Sequence, residues 1–276
     1  MPGYDLHSHS NRSDGTLRPA EVMGLASQRE LAGVALTDHD TFDGLEEAAA
    51  AAEMLGLDFV PGIEFSAEHE GASLHILGYW VDPDDSAIEA ELLRLTATRF
   101  RRGEMIVEKL RELGLDVSLE RVLELAGGDA IARPHIAQAM VEAGIVGDEK
   151  EAFDRYISDE GLAYVPKHAL PPMEALRLIG EAGGVCVLAH PGMWRGSDTV
   201  PDELIGDLAA GGMAGIEVRH PDHDDEMRSK YAVMAERLGL VATASSDCHG
   251  ERYGFRMGEE RTDAETFAEL KRRAGR

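Results

Sequence analysis

The sequence predicts an α/β barrel with an inserted helical segment, and three observations support this fold class. Short apolar runs of strand length alternate with longer runs that have helical periodicity. Histidines and carboxylates follow the ends of most predicted strands, and a strand-free stretch at about residues 96–165 interrupts the alternation. A (β/α) barrel assembles its site from several loops at the carboxyl ends of its strands. A doubly wound sheet would concentrate these residues at one switch point, so the barrel is the better prediction.

The strands and helices of the first third of the chain follow a regular order. Strands are predicted at residues 4–6, 33–36 and 58–61, and a hairpin at 63–68 and 73–80. Helices are predicted at 19–31, which Pro19 opens, and at the alanine-rich segment 45–55.

The remainder of the chain is first helical and then returns to alternation. Helices are predicted at 87–113, 118–126, 134–143, 149–157 and 172–182. Strands follow at 184–190, 215–218 and 240–245, with helices near 201–210, 224–238 and 263–273. We therefore expect one domain over residues 1–276, with a helical cap inserted at roughly 96–165.

Composition restricts the class of partner. The 276 residues include 52 acidic and 27 basic side chains, which gives a formal charge of −25. This charge repels duplex nucleic acid and anionic membranes, and neither is expected as a partner. An anionic substrate therefore requires a local positive centre, either metal ions or a small group of basic side chains.

Cysteine usage and the N-terminal segment suggest a compartment. Cys186 and Cys248 lie far apart, which fits a reducing environment better than a disulfide framework. Residues 1–30 contain no apolar segment of the signal-peptide type. The expected location is the cytoplasm.

Nine side chains that commonly bind metals fall at the predicted strand ends. They are His7, His9, Asp14, His39, Glu64, His75, His190, Asp247 and His249. A single histidine at such a position is more often a hydrogen-bonded structural residue, but nine such side chains in this order indicate a shared site. Imidazole and carboxylate ligands suit Mn²⁺, Fe²⁺ or Zn²⁺. Because nine ligands exceed the needs of one tetrahedral site, we expect two or three divalent ions.

Four motifs carry a resemblance to a known family. They are His7-Ser8-His9 with Asp14, Thr37-Asp38-His39, Gly62-Ile63-Glu64 and Ser246-Asp247-Cys248-His249. Together they resemble the motifs of the PHP superfamily, the polymerase and histidinol phosphatase group of metal-dependent phosphoesterases. The segments 74–79, 132–137 and 189–191 are similar to the stand-alone bacterial members, which include nucleoside 3′,5′-bisphosphate phosphatases and exoribonucleases acting on short RNA.

The resemblance implies a distorted (β/α)₇ TIM-like barrel, a helical insertion and a trinuclear metal centre. The implied ligand sets are His7, His9, Glu64 and Asp247 for one ion, Glu64, His75 and His190 for a second, and Asp14, His39 and His249 for a third. Asp38 and Asp40 are expected to orient a histidine or to cap a loop.

Phosphate ester hydrolysis explains why such ligands are needed. Closely spaced metals supply a bridging hydroxide, contacts to phosphoryl oxygens and an in-line geometry. We therefore expect no catalytic side chain beyond the metal-bound water, with His190 and His249 as candidate proton donors. Phosphate contacts are expected from basic side chains outside the metal ligands, namely Arg133, His135, Lys167, His220 and His223.

The expected activity is that of a metal-dependent phosphoesterase acting on a small phosphorylated molecule. By family likeness, the best prediction is removal of the 3′-phosphate of nucleoside 3′,5′-bisphosphates. The alternatives are a phosphodiesterase for cyclic phosphates or the 5′ ends of short RNA, then a histidinol phosphatase, and finally a non-catalytic metal or nucleotide sensor.

Overall fold

The computed structural model describes residues 2–127, 131–158, 160–165, 170–194 and 199–276. The seven strands are Tyr4–Asp5 (β1), Gly33–Leu36 (β2), Asp58–His69 (β3), Ala72–Tyr79 (β4), Val185–Leu188 (β5), Gly215–Arg219 (β6) and Val241–Ala244 (β7). The α-helices are Pro19–Gln28 (α1), Leu45–Leu55 (α2), Ser86–Glu112 (α3), Leu119–Leu125 (α4), Arg133–Glu142 (α5), Glu149–Ala152 (α6), Pro172–Glu181 (α7), Asp202–Ala210 (α8), Asp225–Leu238 (α9) and Ala264–Arg273 (α10). A π-helical turn, Phe153–Ile157, follows α6.

The chain forms two compact units. The first comprises Met1–Glu89 and Ala169–Arg276, and the second comprises Ala90–His168. All seven strands belong to the first unit. Among the described residues of the second unit, the regular structure is entirely helical.

The strands of the first unit form one sheet in sequence order, β1 to β7. Neighbouring strands are parallel, except that β4 is antiparallel to both β3 and β5. Beyond their ends, β1 and β7 meet where the His9 N–H donates to the Cys248 carbonyl over 2.9 Å. The sheet is therefore a nearly closed seven-stranded barrel, which confirms the predicted fold class, and the reversed β4 distorts it.

One predicted boundary is wrong, because residues 58–61 and 63–68 are parts of a single strand. β3 pairs with β2 as far as Pro61 and with β4 from Gly62 onward. Pro61 and Gly62 therefore mark a change of partner within one strand. A Cβ at Gly62 would lie 2.8 Å from the Thr37 methyl group, so the crossing requires glycine.

Apolar side chains fill the barrel and its amino-terminal end. The interior includes Leu6, Leu77 and Val187, all buried. Helix α10 closes the amino ends of the strands, where the Phe267 ring stacks on Tyr4 with centroids 3.9 Å apart. The Arg273 guanidinium fastens this helix by donating to the carbonyl groups of Ala214 and Gly239.

The helical unit has a separate core. Ile106, Leu110, Ile136, Met140 and Ile157 are buried together within it. Two of its helices have side-chain N-caps: the Ser118 hydroxyl accepts from the Arg121 N–H, and an Asp148 carboxylate oxygen accepts from the Glu151 N–H.

Across the described part of the chain, every helix is too short or too polar to cross a bilayer.

Candidate metal centre

The nine predicted metal ligands lie together at one end of the barrel. Seven occupy the loops that follow strands: His7, His9 and Asp14 after β1, His39 after β2, His190 after β5, and Asp247 and His249 after β7. Glu64 and His75 lie within the antiparallel pair β3 and β4. The barrel thus collects at one place residues that are up to 242 positions apart in sequence.

The Glu64 carboxylate is the centre of the cluster. One oxygen, Oε2, lies 3.1 Å from His7 Nε2, 3.0 Å from His9 Nε2 and 3.1 Å from His39 Nδ1. The other, Oε1, lies 2.9 Å from His75 Nδ1 and 3.1 Å from His190 Nε2. Each oxygen therefore faces a different group of imidazoles, as expected for a bridging carboxylate.

Asp247 and Asp14 complete the cluster on its other sides. Asp247 Oδ1 lies 3.3 Å from His7 Nε2 and 3.1 Å from His9 Nε2. Asp14 Oδ1 lies 3.2 Å from His249 Nε2, and Asp14 Oδ2 lies 3.9 Å from His39 Nε2. These contacts join all three carboxylates through shared histidines.

The potential ligand atoms form three groups, each with its members within 4.8 Å of one another. The groups are His7, His9, Glu64 and Asp247; His9, Asp14, His39 and His249; and His39, Glu64 and His75. The first coincides with a predicted set, and the second contains the predicted set of Asp14, His39 and His249. In the third group His39 stands beside Glu64 and His75, while His190 reaches the same two residues at 3.1 and 3.4 Å.

Three orphaned atoms test whether a divalent ion fits this cluster. Glu64 Oε2, Asp247 Oδ1 and His39 Nδ1 are buried and have no hydrogen-bond partner among the described residues. Buried polar atoms are normally hydrogen bonded, so three in one cluster require an explanation. A divalent cation bonds several nitrogen and oxygen donors at once, and this donor set suits one. The residues therefore fit the metal.

The pKa shifts of the histidines follow from their carboxylate neighbours. Burial disfavours the charged form of His7, but Glu64, Asp247 and Glu217 raise its pKa well above the usual range. His9 is similarly buried, and Asp247 and Glu64 raise its pKa to about 10. In His39, by contrast, burial prevails and lowers the pKa to about 3. Without metal, protons on His7 and His9 balance part of the carboxylate charge.

The carboxylates shift in the complementary direction. Burial would raise the pKa of Glu64, yet His39, His7 and His75 hold it well below the usual range. The pKa of Asp247 is likewise held low, because His7 and His249 outweigh its burial. The carboxylates are therefore ionised and ready to accept cations.

Two members of the cluster have unusual backbone conformations. His190 has φ 25° and Asp247 has φ 50°, both in the left-handed region that non-glycine residues rarely adopt. Each such conformation costs on the order of 1–3 kcal/mol and persists where the surrounding structure enforces it. The two conformations therefore lower the stability of the barrel, and they fix the directions of the His190 and Asp247 side chains.

The cluster is open on one side. The side chains of Asp14 and His75 are 22% and 23% exposed, whereas those of His7 and His9 are fully buried. The cluster thus has a buried side at His7 and His9 and an accessible side at Asp14 and His75, as required for a site that admits a substrate.

Of the five residues predicted to contact phosphate, His220 and His223 lie in the first unit. Both are buried. His220 Nε2 lies 3.7 Å from Asp247 Oδ2, so His220 adjoins the cluster. His223 Nδ1 lies 3.1 Å from the Val218 carbonyl, and its Nε2 accepts from the Gly192 N–H. Its ring nitrogens therefore join two backbone segments, and we do not propose it as a phosphate ligand.

The other three residues that were predicted to contact phosphate belong to the second unit. The Arg133 guanidinium donates to the Ile157 carbonyl and lies over the Phe153 ring, 5.8 Å from its centroid. His135 Nδ1 accepts from the Ala132 N–H at the start of α5. Lys167 lies outside the described residues. Substrate contacts by Arg133, His135 and Lys167 stay predictions.

Three buried carboxylates support the cluster without belonging to it. Asp5, which precedes the first histidine motif, accepts from the backbone N–H groups of His7, Ser246 and Gly258. Asp38 caps the loop before Asp14 by accepting from the Ser10 N–H and from the hydroxyl groups of Ser10 and Ser13. Glu217 lies 3.0 Å from His7 Nδ1.

Sequence reasoning missed the roles of Asp5 and Glu217. The sequence offers the same single signal at both positions: an acidic residue inside an apolar strand. Asp38 was expected to orient a histidine or to cap a loop, and the structure shows the loop cap.

Comparison with known proteins gives one family match and two similar enzymes. The PHP domain family matches residues 5–126. A 3′,5′-nucleoside bisphosphate phosphatase of Chromobacterium violaceum is 36% identical over 257 residues, covering 93% of this chain and 90% of the relative. A 5′-3′ exoribonuclease of Haemophilus influenzae is 32% identical over 246 residues, covering 89% of each protein.

A solved structure extends this similarity to the fold. The protein, from Bifidobacterium adolescentis, is assigned as a metal-dependent phosphoesterase. It superposes with a TM-score of 0.92 at 33% identity, and the match covers 99% of this chain and 96% of that one.

Proposed function

Because this chain belongs to the PHP family of metal-dependent phosphoesterases, we propose that it removes the 3′-phosphate from nucleoside 3′,5′-bisphosphates. The observation that carries this proposal is the open cluster of nine nitrogen- and oxygen-bearing side chains around Glu64. The substrate class is supported by the similarity over nine-tenths of the chain to a phosphatase of that name. The same similarity supports the inference that residues 1–276 form one PHP domain with a helical insertion near 96–165.

The cluster binds two or three divalent ions in this proposal, with Mn²⁺, Fe²⁺ and Zn²⁺ as the candidates. The nine ligands are the seven residues in the loops that follow strands together with Glu64 and His75, and Glu64 joins two groups through its separate oxygens. Ions bound here supply Lewis acidity toward phosphoryl oxygens and lower the pKa of a bound water.

The protein itself orients the reacting groups and controls protons. The buried imidazoles of His7 and His9 form the rigid floor of the site, because both rings are enclosed and both contact the Glu64 and Asp247 carboxylates. His190 and His249 lie nearer the open side, and whichever of them is not bound to a metal ion is proposed as the proton donor to the leaving oxygen. We propose no serine or cysteine nucleophile.

An exposed aromatic ring beside the cluster supports a nucleoside substrate. Tyr253 is 56% exposed, and its ring centroid lies 5.4 Å from that of His249. Bases stack on aromatic side chains with a gain of about 1–3 kcal/mol. We propose that the base of the substrate stacks on Tyr253 while a phosphate group binds at the cluster.

A phosphodiesterase is the second candidate function. The exoribonuclease relative, 32% identical over 89% of the chain, favours this alternative. The formal charge of −25 favours short substrates in either case, because a long RNA would be repelled outside the site.

A substrate panel distinguishes these functions. The Mn²⁺-loaded protein is assayed against adenosine 3′,5′-bisphosphate, a cyclic nucleotide phosphate, a 5′-phosphorylated dinucleotide and histidinol phosphate. The proposal expects the highest kcat/KM for the bisphosphate, with adenosine 5′-monophosphate as product. Faster turnover of the dinucleotide or the cyclic phosphate would assign the phosphodiesterase, and exclusive turnover of histidinol phosphate would exclude a nucleotide substrate. Metal binding without any turnover would assign the sensor.

A further inference from the structure

Strand β6 contains a buried acidic residue that is outside the nine-residue cluster. Glu217 lies between Ile216 and Val218, and its side chain is fully buried. A buried carboxylate is costly unless hydrogen bonds and opposite charges compensate it. Its partners therefore indicate why the strand retains it.

Glu217 contacts three other strand ends. Its Oε1 lies 3.0 Å from His7 Nδ1, just beyond β1, and also accepts from the Ser245 hydroxyl, just beyond β7. Its Oε2 accepts from the backbone N–H of His190 over 2.6 Å, just beyond β5. One carboxylate thus links the ends of β1, β5 and β7 to β6.

The contact with His7 determines which ring nitrogen faces the cluster. A carboxylate accepts hydrogen bonds, so Nδ1 carries a proton and donates to Glu217. The opposite nitrogen, Nε2, then points at Glu64 Oε2 and Asp247 Oδ1, at 3.1 and 3.3 Å. Carboxylates that hold histidine ligands in this way fix both the tautomer and the ring orientation.

The contact with His190 acts on its backbone. His190 has φ 25°, a strained conformation that requires support from its surroundings. The short hydrogen bond from its N–H to Glu217 supplies that support. His190 Nε2 is thereby held 3.1 Å from Glu64 Oε1.

We propose that Glu217 is a positioning residue that holds His7 and His190 in the orientations needed to bind metal. This inference rests on the proposed metal dependence and assigns a role to a residue outside the metal ligands. It predicts that loss of the Glu217 carboxylate weakens metal binding unequally among the ligand groups of the cluster. Groups that contain His7 or His190 depend on Glu217, whereas Asp14, His39 and His249 make no direct contact with it in the described structure.

Mn²⁺ titration of the Glu217→Gln protein tests the proposal. The amide has nearly the same shape as the carboxylate but presents an N–H₂ group either to the His190 N–H or to the His7 and Ser245 donors, so at least one contact is lost. Loss of a residue that orients a metal ligand typically weakens metal binding by about 10–100-fold. We expect a weakening of this size for at least one ion, measured by isothermal titration calorimetry with metal content checked by elemental analysis.

A matched control separates this effect from the general loss of a buried carboxylate. Glu260 is also buried, and it pairs with Arg219 and Arg228 at 2.7 and 2.9 Å rather than with the cluster. The Glu260→Gln protein is expected to bind Mn²⁺ as the wild type does. Wild-type affinity in Glu217→Gln, or equal weakening in both variants, would overturn the proposal. Failure of the wild-type protein to bind Mn²⁺, Fe²⁺ or Zn²⁺ would instead reject the proposed function.

A second measurement requires no variant. Long-range ¹H–¹⁵N spectra of the Zn²⁺-loaded wild-type protein report which nitrogen of His7 carries a proton. The proposal expects a proton on Nδ1 and a metal-bound Nε2. A metal-bound Nδ1 would overturn it even if the Glu217→Gln protein failed to fold.

Discussion

The two ends of the barrel are built from opposite kinds of side chain. At the amino-terminal end, the rings of Tyr4, Trp80 and Phe267 pack together, with Tyr4 and Phe267 stacked at 3.9 Å and Trp80 at 6.2 Å from Phe267. At the carboxyl end, imidazoles and carboxylates crowd around Glu64, and His190 and Asp247 have strained backbones. Stability and chemistry therefore depend on different ends of one sheet.

This difference follows from the cost of burying charge. Apolar burial at the amino-terminal end stabilises the fold at about 25 cal/mol per Å². Buried charges at the carboxyl end are costly unless they are paired, and the orphaned oxygens of Glu64 and Asp247 show incomplete pairing without metal. A substitution at either end should therefore change one property and spare the other.

The largest expected effect is that of Asp247→Asn on activity. This change removes the charge that faces His7 and His9, and we expect kcat/KM to fall by roughly 10²–10³-fold, as when a charge-stabilising group is lost. The exposed Asp207→Asn protein is the control, with unchanged activity. Retention of a tenth of wild-type activity in Asp247→Asn would contradict its role as a ligand.

The reverse effect is expected from Phe267→Ala at the opposite end. This buried ring contacts Tyr4 and Trp80, and its removal should cost about 3–5 kcal/mol of unfolding free energy. Chemical denaturation measures this loss. Mn²⁺ affinity, measured where the variant is folded, should equal that of the wild type. A large loss of metal affinity would show that the two ends are coupled.

The effect of pH on the stabilisation of the protein by bound metal should be smaller than the two effects above, but its direction is defined. The pKa of His9 is raised to about 10 in the metal-free fold, against about 6.5 in the unfolded chain. Its ion pairs therefore stabilise the metal-free protein fully below pH 6.5, and this contribution is lost as the pH rises toward 10. Metal binding requires neutral imidazole and so becomes stronger as the pH rises.

Thermal melts with and without Mn²⁺ check this sign. The increase in melting temperature caused by Mn²⁺ should be larger at pH 8.5 than at pH 6, and a chelator should remove it at both values. A larger increase at pH 6 would mean that the metal does not displace protons from these histidines.

The smallest effect is expected from Tyr253→Ala, at the rim of the open end. Loss of stacking should raise KM for adenosine 3′,5′-bisphosphate by roughly fivefold or more, with little change in kcat. Tyr253→Phe retains the ring and should behave as the wild type does. An equal rise in KM for a phosphate ester without a base, such as glycerol 3-phosphate, would exclude a base-stacking role.

The sequence predicted much of the architecture and of the cluster, for physical reasons. Alternation of apolar strands with helices predicts a barrel, and the carboxyl ends of its strands must converge, so His7 and His249 could be placed together from sequence. Strand β3 was predicted as two strands, at 58–61 and 63–68, because the partner change within it depends on two neighbouring strands at once. Glu217 was missed because its significance depends on His7, 210 positions away. The environment of His223 became visible only when the backbone groups around its ring were placed.

Crystals grown with Mn²⁺ and measured at the manganese absorption edge test the central claim most directly. The account predicts two or three anomalous peaks at the carboxyl end of the barrel, about 2.0–2.3 Å from the ligand atoms, with one peak on each side of Glu64. An absence of peaks around Glu64 in protein that binds Mn²⁺ in solution would contradict it.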